Sequence, residues 1–191
     1  LYTSWLYLPW VIKPFWSPFI DLLKTKRWWV VTMQLLVGAG LAGIALTIPM
    51  PDFFRITLAV FWLVAFSSAT HDIAADGFYM LALNVKDQAL YVGIRSTFYR
   101  IATIAGQGLL IMLAGGLEIW SGNIKYAWSI TFFILAGLFL AFSLYHKYIL
   151  PAPGSDKSVV GQNNASSIME GFIETFASFF RKKQAGVAIL F

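Results

Sequence analysis

Apolar residues in this chain run in long blocks and do not alternate with polar ones. Trp28 to Ile48 and Tyr126 to Tyr145 are uncharged stretches of about the 20 residues that a helix needs to cross a bilayer. Ile101 to Leu117 is also uncharged and reaches full length if its helix begins near Tyr91, taking in Arg95 and Arg100. Ile56 to Thr70 is apolar, meets His71, Asp72 and Asp76, and turns apolar again at Phe78. Leu1 to Ile20 carries only Lys13 as a charge and is interrupted by Pro9, Pro14 and Pro18. The pattern predicts five candidate membrane helices, the first of them broken by proline. Strand-type alternation does not persist anywhere, which argues against a membrane β-barrel.

Composition agrees. Charged residues make up 12% of the chain against roughly 25% in soluble domains, and mean hydropathy is +0.70. So few charges cannot cover a water-facing globule of 191 residues. An aromatic content of 17% excludes disorder. The absence of cysteine excludes disulfide frameworks, thiolate metal sites and cysteine nucleophiles. With His71 and His146 as the whole histidine complement, no metal-ligand set is expected. Asp72 and Asp76 lie on one segment, whereas an intramembrane aspartyl protease brings its acids from two. No phosphate-cradling glycine loop, secretory signal or soluble basic domain is present, so neither a cofactor, catalysis nor nucleic-acid binding is expected. The fold class is an all-α polytopic membrane protein.

Charge between the spans is uneven. One set of loops, with the long stretch after Tyr145, holds Lys24, Lys26, Arg27, Lys86, Lys147, Lys157, Arg181, Lys182 and Lys183. The other set, Pro49–Arg55 and Glu118–Lys125, holds Arg55 and Lys125. Basic loops stay cytoplasmic, so the first set is expected inside. His146 to Asn164 reads as loop. Ser167 and Glu170 form a capping box that opens an amphipathic helix over about 166–183, expected to lie on membrane lipid or to pack on protein. The chain opens at Leu1 within an apolar run, and 184–191 reads as the start of another span; a fragment of a longer protein is expected.

Ionisable groups amid apolar spans carry the candidate chemistry. Each costs roughly 2.5–3.5 kcal/mol at a helix centre, so such groups face a bundle interior or an aqueous path. Asp72 and Asp76 are four residues apart and share a helix face. Neighbouring carboxylates favour proton uptake, which suits proton coupling, with His71 as a relay. An ion pair with Lys13, Arg95 or Arg100 is the structural alternative. Arg100 suits a substrate carboxylate through its bidentate fork, while Arg95 lies nearer the inner surface, where snorkelling would also place it. Lys13, Trp16 and Tyr79 are further candidates for substrate contact. The glycines Gly38, Gly40 and Gly43, with Gly106, Gly108, Gly115 and Gly116, suit close helix approach.

Ser68-Ala-Thr-His-Asp-Ile-Ala-Ala-Asp-Gly-Phe-Tyr79 resembles the fourth-span pattern of the major facilitator superfamily, and within it the AmpG-type muropeptide permeases. Pro14 to Asp21, followed by the basic cluster to Arg27, resembles the end of the second span and a glycine-poor form of the superfamily's gate motif. The likeness covers most of residues 1–148 and departs at His71, where a neutral amide is expected, and at Gly77-Phe78-Tyr79. It implies a partial N-terminal six-helix bundle. Residues 1–148 would be transmembrane helices 2–6, 149–183 the cytoplasmic linker and 184–191 the start of helix 7. It further implies a transporter of the bacterial inner membrane that imports an amino-sugar peptide with protons. Asp21, Lys24, Lys26, Arg27 and Arg95 would then form the cytoplasmic gate. Related carriers of acetyl-CoA, sugars or drugs, and a non-transporting membrane scaffold, are the alternatives.

Overall fold

The computed structural model describes residues 4–157, 170–174, 177, 178 and 181. The described residues are helical throughout, joined by short turns. The proline-rich opening does not form one continuous helix. It is a 3-10 turn (Ser4–Tyr7), α1 (Leu8–Val11), a second 3-10 turn (Lys13–Phe15) and α2 (Ser17–Leu23). Pro9, Pro14 and Pro18 each sit in the first positions of one of these pieces. There a missing N–H costs nothing, but the hydrogen-bond ladder cannot run through.

Among the described residues four helical stretches are long and apolar enough to cross a membrane, and the broken first segment, expected as a fifth, is not one of them. The first, α3 (Lys26–Thr47), starts where the Thr25 side chain accepts the Trp28 N–H at 3.1 Å. It stops before Pro49 and Pro51. Its 22 residues rise about 33 Å at 1.5 Å each, matching a hydrocarbon layer of about 30 Å. The next, α4 (Phe53–Ala82), is longer. Asn84 then caps α5 (Val85–Ile104) by accepting the Asp87 N–H at 2.9 Å. This cap starts the helix before Lys86, so the expected loop at 83–89 shrinks to two residues. A π-helical turn, Ala105–Leu109, joins α5 to α6 (Leu110–Ser121). Gly122, at φ +67°, ends α6 in the left-handed conformation that glycine tolerates best. Asn123 caps α7 (Ile124–Ile149), accepting the Tyr126 N–H at 3.1 Å. The last helix continues past His146, where loop was expected, and ends as Leu150 turns extended ahead of Pro151.

Small side chains let α3 lie against both α4 and α7. A Cβ on Gly40 would run into Val64 of α4, and one on Gly38 would come 3.2 Å from Leu140 of α7. Val37, Leu41 and Ile44 pack there with Ala136, Val60 and Phe132. A second cluster joins Ile20 of α2, Val30 of α3 and Ala74 and Phe78 of α4. Ser143 Oγ donates to the Val31 carbonyl at 3.0 Å, and the Thr47 and Thr57 hydroxyls meet at 2.8 Å. The glycines of the other span behave differently. Gly106, Gly108, Gly115 and Gly116 face open space among the described residues. α6 packs on α7, but α5 buries no residue and stands off from α4 across a cleft.

The amphipathic helix expected over 166–183 falls largely outside the described residues. Of those described, 170–174, 177, 178 and 181 are helical. Phe172 stacks on Phe19 of α2, ring centres 4.6 Å apart. The expected start of a span at 184–191 also lies outside the described residues.

Candidate functional site

The separation of α5 from α4 opens a cleft of about 1190 Å³. His71, Asp76 and Tyr79 line it from α4, Tyr91, Arg95 and Arg100 from α5, and His146 from α7. One charge network borders it. Asp72 and Asp76 project one helical turn apart, as their spacing predicts. The Arg95 guanidinium spans both, with Nη2 2.9 Å from Asp72 Oδ1 and Nη1 paired to Asp76. Lys13, in the 3-10 turn between α1 and α2, pairs with the other oxygen of Asp72. Four charged side chains from three elements therefore alternate in sign: Lys13, Asp72, Arg95, Asp76. This is the ion-paired arrangement that the spacing left open.

The pairs are not sealed. Asp72 and Asp76 keep 34% and 41% of their side-chain surface open, and Arg95 keeps 60%. An ion pair removed from all solvent is hard to break, because each charge would be left bare in a low dielectric. A partly open one exchanges partners more readily. Arg95 bridges the two acids with the fork geometry that lysine lacks.

Arg100 lines the same cleft and makes no ion pair among the described residues. Five residues separate it from Arg95, about 140° around the helix, so it faces the cleft away from the acid pair. Tyr79 donates its hydroxyl to the Gln88 carbonyl at 3.1 Å, tying the end of α4 to the start of α5 at the rim. The His71 Nε2 atom is buried without a hydrogen-bond partner among the described residues. Trp16 is placed elsewhere: its ring lies 5.5 Å from Phe66 and packs on the Ile20 cluster. No grouping of described residues could hold a metal ion.

The loop between α2 and α3 divides the expected gate residues. Lys26 pairs with Asp21. The lysine stem crosses α4 directly over Gly77, where an added Cβ would lie 2.7 Å from Lys26 Cε. A groove of about 470 Å³ is lined by Lys13, Asp21, Lys26, Asp76 and Gly77, so Asp76 borders both openings. Arg27 Nη2 donates to the Lys147 carbonyl at 2.5 Å. Lys24 makes no ion pair among the described residues. Arg95, expected with this group, instead joins the acids of α4.

Sequence reading missed two partners. Asp156, beyond α7, accepts the Lys26 and Arg27 backbone N–H groups at 2.6 and 3.0 Å and so caps α3 from 130 residues away. An acid in a proline- and glycine-containing stretch carries no signal of that distant role. Gln34, buried inside α3, lies 2.9 Å from His146 Nδ1. An amide within a span is a visible anomaly, and it could have been found that way.

The geometry defines a helical protein of membrane-span composition with a charged cleft between two of its helices. Over 135 residues the chain is 25% identical to the anhydromuropeptide permease of Escherichia coli strain K12 and to that of strain O157:H7; the match covers 68% of this chain and 26% of each relative. It is 29% identical over 142 residues to an uncharacterized protein of Haemophilus influenzae, covering 72% of this chain and 32% of that protein. The chain thus spans between a quarter and a third of the length of these relatives. No family model matches it, and no solved structure matches it significantly. The four apolar helices among the described residues, with this distant likeness, fit an integral membrane protein.

Proposed function

We propose that this chain is part of a proton-coupled secondary transporter that imports anhydromuropeptides across a bacterial inner membrane by alternating access. The observation that carries the reading is the Lys13–Asp72–Arg95–Asp76 chain at the mouth of the α4–α5 cleft. Ionisable groups inside membrane spans mark substrate and proton routes, and transporter sites lie between bundles near the midplane. In this reading residues 1–148 are transmembrane helices 2–6 of a major facilitator bundle, 149–183 the linker and 184–191 the start of helix 7.

The mechanism follows from the charges. A proton on Asp72 cancels its attraction for Arg95 and Lys13 together. Arg95 then rests on Asp76 alone, and a second proton there frees α5 from α4. The π-helical turn at Ala105–Leu109 is where α5 can swing, since π-turns weaken the regular ladder and recur at functional sites. Asp72 is the first proton-coupling residue, Asp76 the second, and His71 the relay beside them. Arg100 takes the carboxylate of the cargo, with Tyr79 as a second contact in the same cleft and Lys13 reaching it only through Asp72; Trp16, packed on Phe66, takes no part. Asp21, Lys24, Lys26 and Arg27 form the cytoplasmic gate.

The test is uptake of labelled anhydromuropeptide by vesicles carrying the full-length protein, with and without an imposed proton gradient. Gradient-driven uptake that disappears in Asp72→Asn supports the reading. Full gradient-driven uptake in Asp72→Asn removes that residue from coupling. Uptake of acetyl-CoA or a simple sugar in its place would reassign the cargo.

A further inference from the structure

His146 sits at the wall of the cleft with its orientation set from behind. Its Nδ1 faces Gln34 Oε1 at 2.9 Å, and Gln34 is buried in α3. The ring is flanked along its own helix by Phe142, near-parallel with centres 6.3 Å apart, and by Tyr145 at 5.5 Å. An amide oxygen only accepts, so Nδ1 of the neutral imidazole carries the proton. That leaves Nε2 as a lone-pair acceptor, and it has no hydrogen bond among the described residues. The hydrogen bond made by one ring nitrogen decides which face of a histidine is offered to a ligand. Buried amides in apolar helices are costly unless bonded, so the Gln34–His146 bond persists in preference to either group left alone.

The same cleft presents Arg95 and Arg100 as cations, Asp76 as an anion and Tyr79 as a hydroxyl already bonded to Gln88. His146 adds a neutral ring-nitrogen acceptor whose direction Gln34 fixes, unlike the other imidazole of the cleft, His71, whose Nε2 is buried. We propose that His146 is a further substrate-binding residue of the cleft, positioned by Gln34, and that it selects a cargo bearing a hydroxyl or amide N–H close to its anionic group. This rests on the transport reading above and refines it. Arg100 reads the charge of the cargo, and His146 reads a donor beside that charge. A site built to bond such a donor rejects an analogue that lacks it, because its own acceptor would be left unpaired on binding. Gln34 touches no cargo; it is a positioning residue.

The experiment measures KM and Vmax for uptake of labelled anhydromuropeptide and of its O-methylated derivative, in vesicles holding the full-length protein under a fixed proton gradient. Wild type is expected to prefer the unmodified cargo. His146→Phe keeps the ring and loses the acceptor; it is expected to raise KM roughly tenfold with Vmax within about twofold, and to abolish the preference. His146→Asn keeps an acceptor and is expected to retain part of the preference, which guards against a folding effect of Phe. Gln34→Met should reproduce the KM rise. Wild-type uptake with unchanged KM and unchanged preference in His146→Phe overturns this inference and leaves the transport reading standing. If wild type takes up neither cargo under the gradient, the transport reading falls and this inference falls with it.

Discussion

Arg95 Nη2 stands 2.9 Å from Asp72 Oδ1 across the gap between α5 and α4, while the other arm of the same guanidinium holds Asp76. One side chain thus tethers a helix that buries none of its own residues. Arg95→Gln is expected to leave insertion and expression near normal while reducing gradient-driven uptake at least tenfold. Arg95→Lys should restore little, because an ammonium cannot span two carboxylates as a fork. Uptake by vesicles, normalised to protein content, checks both. Wild-type uptake in Arg95→Gln would mean that the tether has no part in transport.

The glycines of α3 and of the π-turn should respond in opposite ways. Gly40→Val drives a branched side chain into Val64, an overpacking expected to cost about 1–3 kcal/mol. A Cβ on Gly106 meets nothing within 4 Å among the described residues, so Gly106→Val has open space to enter. Thermal unfolding in detergent should show a clear loss for the first and little change for the second. Equal losses would place the helix contacts elsewhere than along α3.

Asp156 caps α3 through two backbone N–H groups. Asp156→Ala should destabilise the protein by about 0.5–2 kcal/mol, the usual cost of losing a helix cap, and Asp156→Asn should recover only part of it, because the carboxylate uses both oxygens and an amide has one. A shift in detergent unfolding temperature reads this out. No shift would show that water satisfies those N–H groups equally well.

Gly77 gives the Lys26 stem its passage to Asp21. Gly77→Ala should displace a flexible lysine and change stability by no more than about 0.5 kcal/mol. If the Asp21–Lys26 pair belongs to the gate, uptake should fall in Gly77→Ala and in Lys26→Ala, with the double variant no worse than Lys26→Ala alone. Additive losses would indicate that Gly77 acts on something other than Lys26.

Span positions were legible in the hydropathy pattern, because about 20 apolar residues in a row have few other stable fates. The caps at Thr25, Asn84 and Asn123 follow from local chemistry that acts over three residues. The breaks in the first segment follow from its prolines. The candidates for the charge cluster were legible as well, since an acid or a base in an apolar block stands out by itself; that Arg95 joins it and Arg100 does not was not.

By itself, then, the sequence determined that the protein is built of long apolar helices and which charges must be accommodated among them. Only the tertiary structure decided who pairs with whom. Lys13 meets Asp72 across 59 residues, Arg95 meets Asp72 across 23, Gln34 meets His146 across 112 and Asp156 reaches Lys26 across 130. Helical periodicity relates residues three or four apart and says nothing at those separations. Pairing at a distance is set by which helices approach, and that approach depends on where small residues such as Gly38 and Gly40 let α3 come close to its neighbours.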